Sequence, residues 1–225
     1  MSLPLLVSGS YQKNYVAHRL AGTQTRQLCH FVGILAAVFE PQSWGVSSQR
    51  FTIVSSRKIE VVDYDTDWPH SFESEKLALE KALYDTEVKI EHIGSTSIPN
   101  LAAKPIIDIL IEIDKVERLD VKADRFCNLG YEVKGENGIP GRRYYQKGGN
   151  NRTHHIHAFQ SGSFGLLRHR AFKEYLQAHP LIAREYASIK KQAALSCNKD
   201  TERYISMKND FIVKHEKLAL DWYGS

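Results

Sequence analysis

The chain has 225 residues, of which 42% are apolar and 25% charged, the balance of a soluble globular protein with one sizeable domain or one domain plus an appendage. Its net charge of +4 lies entirely in residues 1–57, which hold five basic residues and one acid, while the remainder carries 25 of each; a duplex binder needs a basic stripe on its folded part, so no nucleic-acid partner is expected. Neither a membrane partner nor a disulfide framework is expected: the longest apolar run, Phe31 to Phe39, is far short of the roughly 20 residues that span a bilayer, and Cys29, Cys127 and Cys197 lack CxxC spacing, which suits a reducing, cytoplasmic setting.

Residues 1–57 show little helical or strand periodicity and are rich in Ser, Thr, Gln and Gly. Three readings stand for this N-terminal extension: sequence translated ahead of a true start near Lys58, a basic and nearly acid-free targeting peptide, or a poorly ordered extension. From Lys58 the pattern becomes regular, and one domain is expected over 58–220, with 221–225 as a tail. Ile59 to Asp63 reads as a short strand. Asp65 or Asp67 is placed to cap a helix with Pro69 in its first turn, and Trp68, Phe72, Leu79 and Leu83 recur along it at helical spacing. Val88 to Ile93 is the next strand, followed by a turn-rich Gly-Ser-Thr-Ser-Ile-Pro-Asn loop. The apolar run Pro105 to Ile113, broken by Asp108 and Glu112, predicts a central strand. Val116 to Leu129 reads as a helix closed by Gly130. Tyr131–Val133, Arg142–Lys147 and Thr153–Gln160 read as strands separated by glycine turns. Three helices close the chain, about 164–178, 181–197 and 200–220, the last with Tyr204, Met207, Phe211, His215 and Leu218 along one face. The expected fold class is α+β, a mixed sheet with flanking helices and a C-terminal helical segment.

The stretch His92 to Ile111, HIGSTSIPNLAAKPIIDILI, carries the chemistry. Glycine at Gly94 lets backbone approach a phosphate closely, and the Ser95 hydroxyl with nearby N–H groups can hold its oxygens. A carboxylate on the following strand, Asp108, can hold the magnesium that accompanies a nucleoside triphosphate. This Gly-Ser turn and strand aspartate resemble the signature of the nucleotidyltransferase superfamily. The longer string is similar to the GrpB-like family, as are Gly138–Tyr145, Arg152–His157 and Arg168–Pro180, so the resemblance covers about Lys58 to Leu220. It implies a nucleotidyltransferase-like fold with an activity that the family leaves undefined; the Gly-Ser turn paired with Asp108 makes transfer of a nucleoside monophosphate to a small-molecule acceptor the leading expectation. One position departs: the superfamily places a second acid two residues after the first, and here that residue is Leu110. Glu112 shares the face of Asp108, but four residues along a strand is roughly 13 Å, too far to share an ion.

Help for Asp108 is expected from the histidine strand, where His155 and His157 alternate onto one face and His154 onto the other. Two imidazoles at that spacing suit ligation of magnesium or another divalent metal, or proton transfer near neutral pH; equally, they suit hydrogen bonds that hold loops in place. Arg142, Arg143 and Lys147 follow the Gly-Ile-Pro-Gly turn; Arg142 and Arg143 point to opposite faces, and Arg143 is the one expected at the transferring group. Lys104 is expected either at the phosphates or merely flanking its strand. His92 is expected to border the predicted pocket, and Arg168 and His169 open a helix and either close over a ligand or stand as exposed helix polars. Tyr144, Tyr145, Phe172, Tyr175, Tyr186 and Tyr204 read as core and helix contacts, with one tyrosine as a candidate to stack on a base. The functions in view are nucleotidyl transfer, nucleotide or ligand binding on a degenerate transferase fold, and a histidine-rich metal site with another chemistry.

Overall fold

The computed structural model describes residues 59–224, so the readings of residues 1–57 lie outside the described residues. Within it, no helix is long and apolar enough to cross a membrane. The fold is α+β, as the sequence pattern predicts. Five strands, β1 (Lys89–Ile93), β2 (Ile107–Ile113), β3 (Tyr131–Val133), β4 (Arg143–Lys147) and β5 (His154–Gln160), form one sheet in the order β1-β2-β5-β4-β3. β2 and β5 run parallel, and every other pair is antiparallel. Five helices surround it: α1 (Trp68–Ala82), α2 (Ala123–Asn128), α3 (Phe164–Ala178), α4 (Pro180–Ser196) and α5 (Thr201–Tyr223).

The period-two alternation of the two parallel strands decides what lies on each face of the sheet. Ile107, Ile109, Ile111 and Ile113 of β2, with Ile156 and Ala158 of β5, join Trp68, Phe72, Leu79 and Phe126 in the main core under α1 and α2. Leu79 is fully buried, a placement that contributes about 1.5–3 kcal/mol. The alternate residues, Asp108 and Leu110 on β2 and His155, His157 and Phe159 on β5, therefore face the other side, where α3 packs on β1 and β5. A second cluster ties α3, α4 and α5 to the loop after β1 through Ile98, Leu101, Tyr175, Tyr186 and Phe211.

Several expectations change. The strand over Ile59–Asp63 reduces to one bridge, Val62 to Ala103, because Ile59 and Val61 pack on Ala193, Cys197 and Tyr204 and leave the sheet. The helix expected over Val116–Leu129 divides into a 3-10 segment, Val116–Lys122, and α2; Val116 and Leu119, both buried, are three apart, the spacing of a three-residue turn. α5 continues beyond the expected end at Leu220 to Tyr223, and its inward face carries Tyr204, Phe211, His215 and Ala219, with Met207 and Leu218 exposed.

Candidate functional site

The turn after β1 exists because its first residue is glycine. Gly94 has φ 71° and ψ −172°, a region that residues with a side chain essentially never occupy. A Cβ there would stand 2.4 Å from Oδ2 of Asp108. The absent side chain thus brings the Asp108 carboxylate onto the turn backbone, helped by the register that pairs Ile93 with Asp108. The Ser97 hydroxyl donates to the Gly94 carbonyl at 2.7 Å and closes the turn. Thr96 donates to the Ile106 carbonyl and accepts from Nε2 of His92, whose pKa is pushed down to about 4 by burial and by Lys173. His92 braces the turn, and its ring stacks on Phe72.

Around Asp108 the sheet gathers two imidazoles. Nδ1 of His155 lies 3.1 Å and Nε2 of His157 3.9 Å from Asp108 Oδ1, and one ligand atom from each of the three falls within 4.8 Å of the others. Burial raises the Asp108 pKa, but the His155 hydrogen bond and the nearby His157 imidazole outweigh it and hold the carboxyl well below its usual range. The carboxylate is therefore ionised and accepts only. Leu110, where a second acid would stand, is fully buried against Ile93, Phe159 and Leu166. A single carboxylate fits a hard cation that takes its remaining ligands from phosphate and water.

These groups open into a cavity of about 470 Å³ that Gly94, Ser95, Lys104, Asp108, His155 and His157 line together. Its far wall comes from the C-terminal helices: Arg168, His169, Phe172 and Lys173 of α3, Tyr186 and Lys190 of α4, and Tyr204, Lys208 and Glu216 of α5. Five of these side chains are cationic (Lys104, Arg168, Lys173, Lys190, Lys208) against two carboxylates, and Glu216 is already paired with Arg168 at 2.9 Å. Lys190 is 3% exposed, donates to the Ser95 hydroxyl at 2.8 Å and lies over the Tyr186 ring. Burial pushes its pKa down to about 7, with Lys208 adding to the effect; burial lowers Lys208 as well. A cavity with surplus positive charge, aromatic walls and one ionised carboxylate is built for a polyanion with an apolar portion.

The arginine assignment is corrected. Arg143 lies on the opposite face, where it makes a two-pronged pair with Asp120. The reason is register: Arg143 shares parity with Tyr145, which faces α2, whereas Tyr144 faces His155 and His157. Arg142 instead stands behind His157, with Nη1 3.4 Å from His157 Nδ1. Lys147 is held by Glu75 of α1 and is likewise away from the cavity. Sequence reasoning passed over Lys190 and Lys208, although a signal existed. Lys190 sits in the buried stripe Ala183, Tyr186, Lys190, Ala193, and Lys208 lies four residues after Tyr204 and three before Phe211 on α5.

A family profile described as GrpB protein matches residues 58–218. The UPF0157 protein YqkA of Bacillus subtilis is 45% identical over 172 residues, 76% of this chain and 50% of that protein. The UPF0157 protein PA4798 of Pseudomonas aeruginosa is 34% identical over 77% of this chain and 73% of its own length. This chain thus spans about half the length of the first relative. The crystal structure of conserved protein GrpB from Enterococcus faecalis superposes with a TM-score of 0.71 at 45% identity, covering 74% of this chain and 100% of that one.

Proposed function

Because this chain belongs to the GrpB family, we propose that it binds a nucleoside triphosphate with magnesium in the Asp108 cavity and transfers the nucleoside monophosphate to a small acceptor. The single observation that carries the proposal is the Asp108 carboxylate standing against the Gly94 turn, inside a cavity lined by five cationic side chains. Ser95, with the backbone N–H groups of its turn, holds phosphate oxygens, and Lys190 and Lys208 neutralise them from the facing helices. Lys104 closes the phosphate end. Asp108 anchors the cation. His155, hydrogen-bonded to Asp108, keeps that carboxylate oriented, and His157 meets the bound ligand from the cavity wall. When bound, the cation supplies charge neutralisation and alignment of the phosphates.

A specific observation favours a second reading, nucleotide binding without turnover: Leu110 fills the place of a second acid with packed hydrocarbon. Isothermal titration of the full chain with each of the four nucleoside triphosphates, with and without magnesium, combined with a pyrophosphate-release assay, separates the two. Release that Asp108→Asn abolishes supports transfer. Binding without release, unchanged in Asp108→Asn, leaves only the binding module. No binding by any of the four removes both.

A further inference from the structure

We infer that Arg142 is a positioning residue: it holds His157 in the tautomer whose Nε2–H faces the cavity, so that this imidazole donates to an anionic ligand oxygen and does not ligate a metal. The inference starts from a buried cation with no carboxylate among its hydrogen-bond partners in the described residues. Arg142 is 5% exposed, donates from Nη2 to the Asn137 carbonyl at 2.8 Å and from Nε to the Glu136 carbonyl at 3.2 Å, and lies 4.8 Å over the Tyr144 ring. Its remaining side-chain hydrogen bond among the described residues is Nη1 to His157 Nδ1, 3.4 Å. A guanidinium has donors only and stays charged. Nδ1 of His157 must therefore be the bare, accepting nitrogen, and the ring proton sits on Nε2. That nitrogen is 3.9 Å from Asp108 Oδ1, beyond a hydrogen bond, on a side chain that lines the cavity.

His155 follows the same logic in the other direction. Nδ1 of His155 stands 3.1 Å from the Asp108 carboxylate and donates to it. Its Nε2 is buried and has no hydrogen-bond partner among the described residues. An imidazole that binds a metal through one nitrogen donates its other N–H to a carboxylate, a carbonyl or water. Here the other nitrogen of His157 meets a cation, while His155 spends its Nδ1–H on Asp108 and its Nε2 is buried away from any partner among the described residues. The three side chains lie within ligation distance, yet neither ring turns an exposed bare nitrogen to the cavity. What remains is Asp108 as the protein's ligand to a hard cation, with the His157 N–H beside it, able to reach an oxygen of a phosphate that shares the cation. The inference rests on the nucleotide reading only for the identity of that oxygen; the tautomer belongs to the free protein.

Long-range 1H–15N correlation spectra of the histidine rings in the full chain test this, with His157 assigned through His157→Gln. The expected wild-type pattern is a neutral ring protonated at Nε2, and in Arg142→Met a loss of that single tautomer with the amide spectrum otherwise retained. An Nδ1–H ring in the wild type overturns the inference, as does an unchanged ring in Arg142→Met; if that variant fails to fold, the wild-type spectrum still decides. Cobalt(II), added alone, supplies a second arm. Arg142→Gln offers a carbonyl that can accept from Nδ1–H and is expected to bind cobalt at least about tenfold more tightly than wild type. Wild-type binding as tight as the variant's, with an absorption band lost in both His155→Ala and His157→Ala, overturns it. With ATP and magnesium, His157→Ala is expected to weaken binding about tenfold and His157→Gln, which keeps a donor, much less. Absence of ATP binding to wild type removes the nucleotide reading alone, and the ring spectrum still decides the tautomer.

Discussion

Gly94 concentrates two requirements in one missing methyl group: a backbone conformation reserved for glycine, and contact distance to the Asp108 carboxylate. Gly94→Ala places its Cβ against Oδ2 and forces a strained φ, so it is expected to cost about 1–3 kcal/mol, read as a lower urea midpoint at an unchanged slope. It is also expected to displace Asp108 and abolish magnesium-dependent nucleotide binding. A fully stable variant that still binds would show that the turn tolerates separation from the carboxylate. At this scale the sequence was informative where chemistry is local. Gly94, Ser95 and Asp108 announce themselves through a turn and a strand close together in the chain, and the fold brings them to one cavity. The arginines did not, because the register of β4 on β5, which decides whether Arg142 or Arg143 shares the face of His157, is not written in the local sequence.

Elements whose signals are local were legible almost to the residue. Phe164–Ala178 and Tyr131–Val133 fall where periodicity and glycine punctuation put them. The inward face of α5 was legible in part: Tyr204, Phe211 and His215 are buried as expected, whereas the cavity draws Lys208 inward and leaves Met207 and Leu218 exposed. Nothing in a helical period says that a stripe lines a polar cavity instead of a core. Two substitutions test the strands that frame the site. Arg143→Ala removes a half-exposed pair with Asp120 on the far face; it is expected to leave ligand binding unchanged and to alter stability by less than about 1 kcal/mol. Leu110→Asp installs the missing acid among Ile93, Phe159 and Leu166, and is expected to destabilise by about 3–5 kcal/mol, through the lost side chain and the buried carboxyl together. Magnesium affinity is expected not to rise in that variant. A stable Leu110→Asp protein with tighter magnesium binding would mean that the apolar patch is dispensable and that a two-acid centre is within reach.

Across the molecule, the sheet contributes the carboxylate and imidazoles, while the C-terminal helices contribute most of the basic side chains of the cavity, and Lys190 couples the two through Ser95. This coupling has a sign. With its pKa near 7 in the fold and an ordinary value of 10.5, Lys190 is deprotonated in the folded chain and protonated in the unfolded chain over that interval. The unfolded state then binds more protons, so this group makes stability rise as pH increases from about 7 to about 10.5, and its full penalty is felt below about 7. Lys190→Met is therefore expected to be more stable than wild type at pH 6, by up to about 4 kcal/mol, with the difference shrinking as pH rises towards 10. Lys104 and Lys208 oppose the charge on Lys190 and Asp108 favours it, so a bound polyphosphate, which reverses that balance, must raise its proton affinity. Calorimetric titration of ATP at pH 8 in two buffers of different ionisation enthalpy should then register proton uptake by wild type and less uptake by Lys190→Met. Binding without net proton exchange in wild type would mean that the anion sits clear of Lys190, and that the helices meet the sheet for packing alone.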